Sequence, residues 1–297
     1  MAKNQNGSAT EIHIPLRAST AEGTDAGDAI IQVDKNLSMM NHRLYRQCRN
    51  YELSLQLMPT GYNTVYRVQI FTFPDNYFVR GAIAHAHNTW KRSIQDELDA
   101  GVKLSRWYDF RINEQDPDSS WDYLVPALFD GDSWAHLTPD EYTETSVTGT
   151  DLSAEAFHAM GTISNSYNIF AEYAKVLNSR RATSPAVTSD ESYAGLLPGG
   201  EDQEHLVETG DLPPYDHDFG TLWDAGDILV QRDVLFVDMA NGASRVRSVN
   251  FTAPLGMVYV RLQQDGSDVD FATGSPLLQM HCKPGKYMGV AADTLTV

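Results

Sequence analysis

Tyr51-Glu52-Leu53-Ser54-Leu55-Gln56-Leu57 alternates apolar and polar side chains without a miss. Successive side chains of an extended chain point to opposite faces, so this period of two predicts a strand with one buried face. Met58-Pro59-Thr60-Gly61-Tyr62-Asn63 follows as a turn cluster. Thr64–Phe73, TVYRVQIFTF, is β-branched and aromatic almost throughout and predicts a second strand, which Pro74 stops. From Asn76 to Ala100 the period changes. Phe78, Ala82, His85 or Ala86, Trp90, Ile94 and Leu98 recur at helical spacing, and Gly101 stands where a C-cap belongs. Trp107–Ile112 reads as a further short strand.

The β pattern returns after Asp227. Ile228–Asp238, Val246–Phe251, Gly256–Leu262, Pro276–His281 and Lys286–Ala291 are short runs separated by Gly, Asn, Asp and Pro. Strands at 8–12-residue spacing with turn signals between them indicate a sandwich or barrel. The fold class read from the sequence is therefore mainly β. It is an antiparallel jelly-roll β-sandwich with a long helix after the second strand and a large acidic, loop-rich insertion.

Composition sets the outer bounds. The chain has 297 residues, 42% of them hydrophobic, enough for a substantial core. One jelly roll with an insertion and two jelly rolls sharing the chain both fit this length. No stretch approaches 18 apolar residues, so no membrane span is expected. The opening MAKNQNGSATEIHIPL has no apolar h-region, so no signal peptide is expected. Cys48 and Cys282 are the two cysteines, which excludes a disulfide scaffold; two buried free thiols are the ordinary state of such a pair.

The formal net charge is -18, and it is concentrated. Residues 116–225 hold three basic and twenty-one acidic side chains, whereas residues 1–60 hold six of each. The organisation this predicts is a mobile N-terminal arm over residues 1–30 and a jelly-roll core from 31–115 and 226–297. Residues 116–225 form the acidic insertion and outer loops. Such a block repels itself unless it is solvated or meets cations.

Several constellations carry no clear chemistry. His85-Ala86-His87 with Glu97 invites a cupin metal set, but the spacing is wrong and helical residues two apart face away from each other. Asp116, Asp118 and Asp122 resemble part of a calcium loop that lacks its Gly and its closing Glu. A solvated loop is the ordinary reading of that run. A Ca²⁺ ion bridging subunits there is the sharper one, and no other cofactor is expected. No G-x-S-x-G elbow, G-x-G-x-x-G loop or Walker A loop occurs. Lys35, Arg43, Arg46 and Arg49, with Tyr45 and Tyr51, form the basic–aromatic cluster of the chain. Those types suit nucleic-acid contact, but arginines paired to backbone or carboxylates near an interface are the more ordinary reading of so small a cluster.

Val33–Gln47, VDKNLSMMNHRLYRQ, runs straight into the Tyr51–Leu57 strand. It resembles a recurring opening in coat proteins of small single-stranded-DNA viruses known mainly from environmental, often aquatic, sequences. Phe73-Pro74-Asp75, Trp90, Tyr108-Asp109-Phe110-Arg111-Ile112 and Ala253-Pro254-Leu255-Gly256 are similar to later parts of such coats. The resemblance covers residues 31–115 and 226–291 and leaves the acidic block outside.

It implies a jelly-roll capsid subunit without catalytic residues, which is not an enzyme and is located in the virion. The partners it implies are copies of the same chain in an icosahedral shell, the packaged single-stranded DNA, and a host surface receptor met by the acidic outer loops. Residues 1–30 contain only Lys3 and Arg17 as basic side chains, so genome contact through a basic arm is not expected. Two rival readings are a β-sandwich hydrolase, carbohydrate-active or metal-dependent, with the acidic block as its cleft, and a spike or carbohydrate-binding module. The first needs two carboxylates converging in one pocket; the second needs a closed trimer.

Overall fold

The computed structural model describes residues 9–15, 28–58, 65–101, 103, 107, 109–113, 122–124, 127–129, 134–136, 158–160, 166–170, 173, 176, 229–238, 246–264, 267–268 and 277–295. The elements begin with β1 (Glu11–Pro15), β2 (Asp28–Gln32), α1 (Val33–Asn41), β3 (Arg49–Met58), β4 (Val65–Thr72), α2 (Tyr77–Asp99) and β5 (Ile112–Asn113). Short strands follow: β6 (Asp122–Leu124), β7 (Ala127–Phe129), β8 (Trp134–His136), β9 (His158–Met160) and β10 (Ser166–Asn168). The C-terminal set is β11 (Val230–Asp238), β12 (Val246–Arg247), β13 (Phe251–Pro254), β14 (Met257–Gln264), β15 (Ser267–Asp268), β16 (Leu277–Cys282), β17 (Pro284–Gly285), β18 (Gly289–Val290) and β19 (Ala292–Thr294).

Two six-stranded sheets dominate. One runs β1-β16-β3-β12, with β13 and β19 also on β3. The other runs β11-β4-β14-β2-β6, with β15 on β14. Every pairing is antiparallel except β2 with β6, so the protein is mainly β and built from antiparallel sheets.

Alternation explains how the sheets meet. Tyr51, Leu53, Leu55 and Leu57 of β3 are all fully buried, as the period of two requires. They share one apolar cluster with Ile12 and Ile14 of β1 and Leu278 and Met280 of β16. The same cluster contains Val68 and Ile70 of β4, Leu235 and Val237 of β11, and Val258 and Val260 of β14. The two sheets therefore face one another across a single core.

The second sheet is buried on its other face too. Ile30, Met257 and Tyr259 point away from the first cluster and join Phe78, Val79, Ala82 and Ile83 of α2. A strand covered on both sides loses the polar half of its alternation, and β14 reads MVYVRL accordingly. Leu98, in the last turn of α2, is exposed, so the helical stripe stops packing before the helix ends.

Three expectations need correction. Residues 1–30 are not a mobile arm throughout: β1 pairs with β16, β2 pairs with β14, and Ile12, Ile14, Ala29 and Ile30 are fully buried. Two isoleucines in a polar stretch were enough for an edge strand once β16 supplied a partner. Trp107–Ile112 is not a strand; the strand is Ile112–Asn113, and Phe110 is buried in the second core. The acidic block is not wholly peripheral, because Ile169 and Phe170 lie in that same core.

Candidate functional site: a polar junction with an arginine rim

The segment that carries the resemblance folds into α1 and the turn leading to β3. Helix α1 has no side-chain N-cap. Its first N–H, from Val33, instead reaches the carbonyl of Gly256 at 2.8 Å. Leu255 and Gly256 both have positive φ, 61° and 63°, and carry the chain from β13 in one sheet to β14 in the other. A methyl on Gly256 would lie 3.2 Å from the Tyr51 ring and 3.4 Å from the Asp34 nitrogen, so both the positive φ and the tight space favour glycine.

In α1 and the turn after it, four polar side chains act as fasteners. Asn41 bonds both backbone groups of Ala9: it accepts from the N–H at 2.6 Å and donates to the carbonyl at 3.2 Å. Gln47 does the same to Ile112, at 2.7 Å in each direction. Each carboxamide thus takes the place of a neighbouring strand. Ser38 Oγ donates to the Asp34 carbonyl at 2.6 Å and accepts from the Tyr45 N–H at 2.9 Å. Tyr45 Oη then donates to the Met288 carbonyl at 3.0 Å. The junction ties together the start of β1, the β5 segment and the β17–β18 hairpin.

Asp34 sits at its centre with a buried side chain. Its Oδ2 faces Arg111 Nη1 at 3.5 Å, an ion pair at the limit of hydrogen-bond length. Its Oδ1 has no hydrogen-bond partner among the described residues, nor has the side chain of Asn36. Burial outweighs the attraction of Arg111 and Lys35 and pushes the Asp34 carboxyl up to about 6. Asp109 is raised for the same reason, against the pull of Arg46. Burial also raises both thiols, Cys282 to about 12, and leaves them poor nucleophiles; both are free.

The expected basic–aromatic cluster divides. Lys35 is buried. Arg49 donates to the Ala292 carbonyl at 3.0 Å and lies 3.5 Å over the Tyr287 ring, so it is spent on the fold. Arg43 and Arg46 are exposed, and no side-chain hydrogen bond or salt bridge holds either guanidinium among the described residues. The Arg46 N–H bonds Tyr287 Oη at 3.0 Å. Sequence reading placed Arg43, Arg46 and Arg49 in one region and gave no sign of Tyr287, which is distant in the chain and meets both Arg46 and Arg49.

Asp116 and Asp118 lie outside the described residues. Asp122 opens β6, where its backbone pairs with Ala29. Among the described residues no group of three or more His, Cys, Asp or Glu is placed to hold a metal ion. His85 and His87 lie on α2 with aromatic neighbours, Tyr173 for the first and Trp90 and Phe110 for the second. No protein-family model, curated protein or solved structure matches this chain.

Proposed function

We propose that this chain is a jelly-roll coat protein of a small single-stranded-DNA virus, a structural subunit that assembles with copies of itself into an icosahedral shell. The observation that carries the fold half is the strand order. Taking β12 and β13 as one broken strand, the long strands pair first with last (β1·β16), second with second-last (β2·β14), third with third-last (β3·β13) and the middle two together (β4·β11). Such first-with-last pairing is what a jelly roll calls for, and it supports that reading of the fold. The connection at its tip, between β4 and β11, holds α2 and the acidic segment.

Jelly rolls serve coat proteins, lectins and metal enzymes alike. The choice of coat protein rests on the resemblance over Val33–Gln47 and Ala253–Gly256. Support for it comes from what those residues do here: Ser38, Asn41, Tyr45, Gln47 and Gly256 hold the sheets and hairpins in one rigid unit. A shell subunit needs such a unit. The DNA partner is enclosed without a basic arm, and the acidic residues of 116–225 are the candidate partners of a host receptor or of bridging Ca²⁺.

The test is to express the full chain and image it by negative stain alongside sedimentation velocity. Closed particles of uniform diameter are the expected result. A monomer that persists at high concentration across salt and Ca²⁺ conditions overturns the reading.

A further inference from the structure

Of the polar residues in the Val33–Gln47 segment, most are consumed by folding. Ser38, Asn41, Tyr45 and Gln47 are bonded to backbone elsewhere, and Asp34 is buried beside Arg111. Arg43 and Arg46 are the exposed guanidiniums of the segment, next to the exposed His42, and no hydrogen bond or salt bridge of either guanidinium is found among the described residues. This exposed cationic corner belongs to a chain of net charge -18. Asp109 is the carboxylate whose field it most directly meets, and that side chain is only partly exposed.

We propose that this corner is a contact site for a second copy of the chain, and that it receives an acidic stretch from the neighbour's 116–225 segment. The inference rests on the assembly reading above and names one of its contacts. Charge complementarity is the argument. The segment carries twenty-one acidic and three basic side chains, and its stretch 201–218 holds seven carboxylates and no Lys or Arg. Copies this acidic repel one another unless negative charge is matched where they touch. A short carboxylate-rich stretch fits two exposed guanidiniums, with bidentate pairing open to each arginine. A polynucleotide would call for a longer cationic track with exposed stacking faces, whereas Tyr45 and Tyr51 are buried and Tyr287 is covered by Arg49. The contact is head-to-tail rather than self-complementary, which suits a closed ring or shell.

Two measurements on the full-length protein test this. In the first, a fluorescein-labelled peptide of residues 201–218 is titrated with wild type and with R43E/R46E, beside a labelled oligothymidine of equal length. The expected result is peptide binding that falls about tenfold or more in the double variant and weakens steeply with added salt. Oligothymidine bound more tightly than the peptide, or no peptide binding by wild type, overturns the proposal. In the second, sedimentation velocity compares the self-association of the two proteins. Loss of assembly in R43E/R46E, with an unchanged melting temperature, supports the contact; full assembly with unchanged salt dependence overturns it and leaves the shell reading standing. If wild type never assembles, the shell reading fails, and the peptide titration still decides whether the corner binds an acidic stretch.

Discussion

Asp34 shows how a residue can be placed by the fold at a cost to its own chemistry. Its carboxyl is buried, faces Arg111 at 3.5 Å, and is pushed by that burial up to about 6 from 3.8. A carboxyl raised in the folded state holds its proton where the unfolded chain has released it, so its stabilising contribution is complete below about pH 4 and is lost as pH rises to about 6. Asp34→Asn removes this dependence. The difference in unfolding free energy between wild type and Asp34→Asn is therefore expected to shift in favour of the variant between pH 4 and 6. The shift is at most about 3 kcal/mol, and it levels off above pH 7. Urea unfolding across that range measures it, and a difference that stays flat would falsify the assignment. The variant leaves Arg111 and Lys35 in place, so the slope rather than the absolute offset is the diagnostic. Nothing in the sequence marks Asp34 as buried. Three residues on, Leu37 belongs to the same core, but a helix of nine residues whose first six are all buried has no polar face for periodicity to detect there.

At the scale of elements, α2 and the 169–176 stretch illustrate the same dependence on distant partners. Phe170 stacks on Phe78 with ring centroids 6.1 Å apart, and Tyr173 lies 5.4 Å from Phe78 and 6.1 Å from His85. Gly81 makes this contact fit: a methyl built there lies 2.3 Å from the Tyr173 hydroxyl oxygen and 2.5 Å from the ring carbon bearing it. In an isolated helix Gly→Ala gains about 1 kcal/mol. Here Gly81→Ala is expected to destabilise the protein by about 1–2 kcal/mol, because the ring must leave the groove. In the Tyr173→Ala background the same change is expected to regain its helical sign. A double-mutant cycle on urea midpoints reads the coupling, and equal effects in both backgrounds would show that Tyr173 does not rest on Gly81. The spacing of Phe78, Ala82 and Ile94 made a buried helical face legible in advance, and all three are buried. The role of Gly81 follows only from the partner ring.

At the scale of the whole molecule, the chain closes by pairing its beginning with its end. β1 adds to the edge of β16, with Ile12 opposite Met280 and Ile14 opposite Leu278. Removing residues 1–15 is expected to cost about 3–6 kcal/mol, from the exposure of two fully buried isoleucines, and to open the β16 edge to aggregation. Denaturant midpoint and light scattering check this; a truncated chain as stable and as soluble as the original would mean that β1 contributes nothing. What the sequence determined by itself is local. Period-two runs at Tyr51–Leu57 and in the C-terminal third, turn chemistry between them, and a charge surplus confined to residues 116–225 follow from neighbouring side chains alone. Folding in three dimensions settled that ten N-terminal residues become strands, that Asn41 and Gln47 stand in for missing neighbours, and that Arg43 and Arg46 are exposed while Lys35 is buried and Arg49 is held by Ala292 and Tyr287. The physical reason is that a strand edge, a carboxamide or a guanidinium is defined by whatever lies across from it, and in a chain folded first-to-last those partners are up to about the full length of the sequence away.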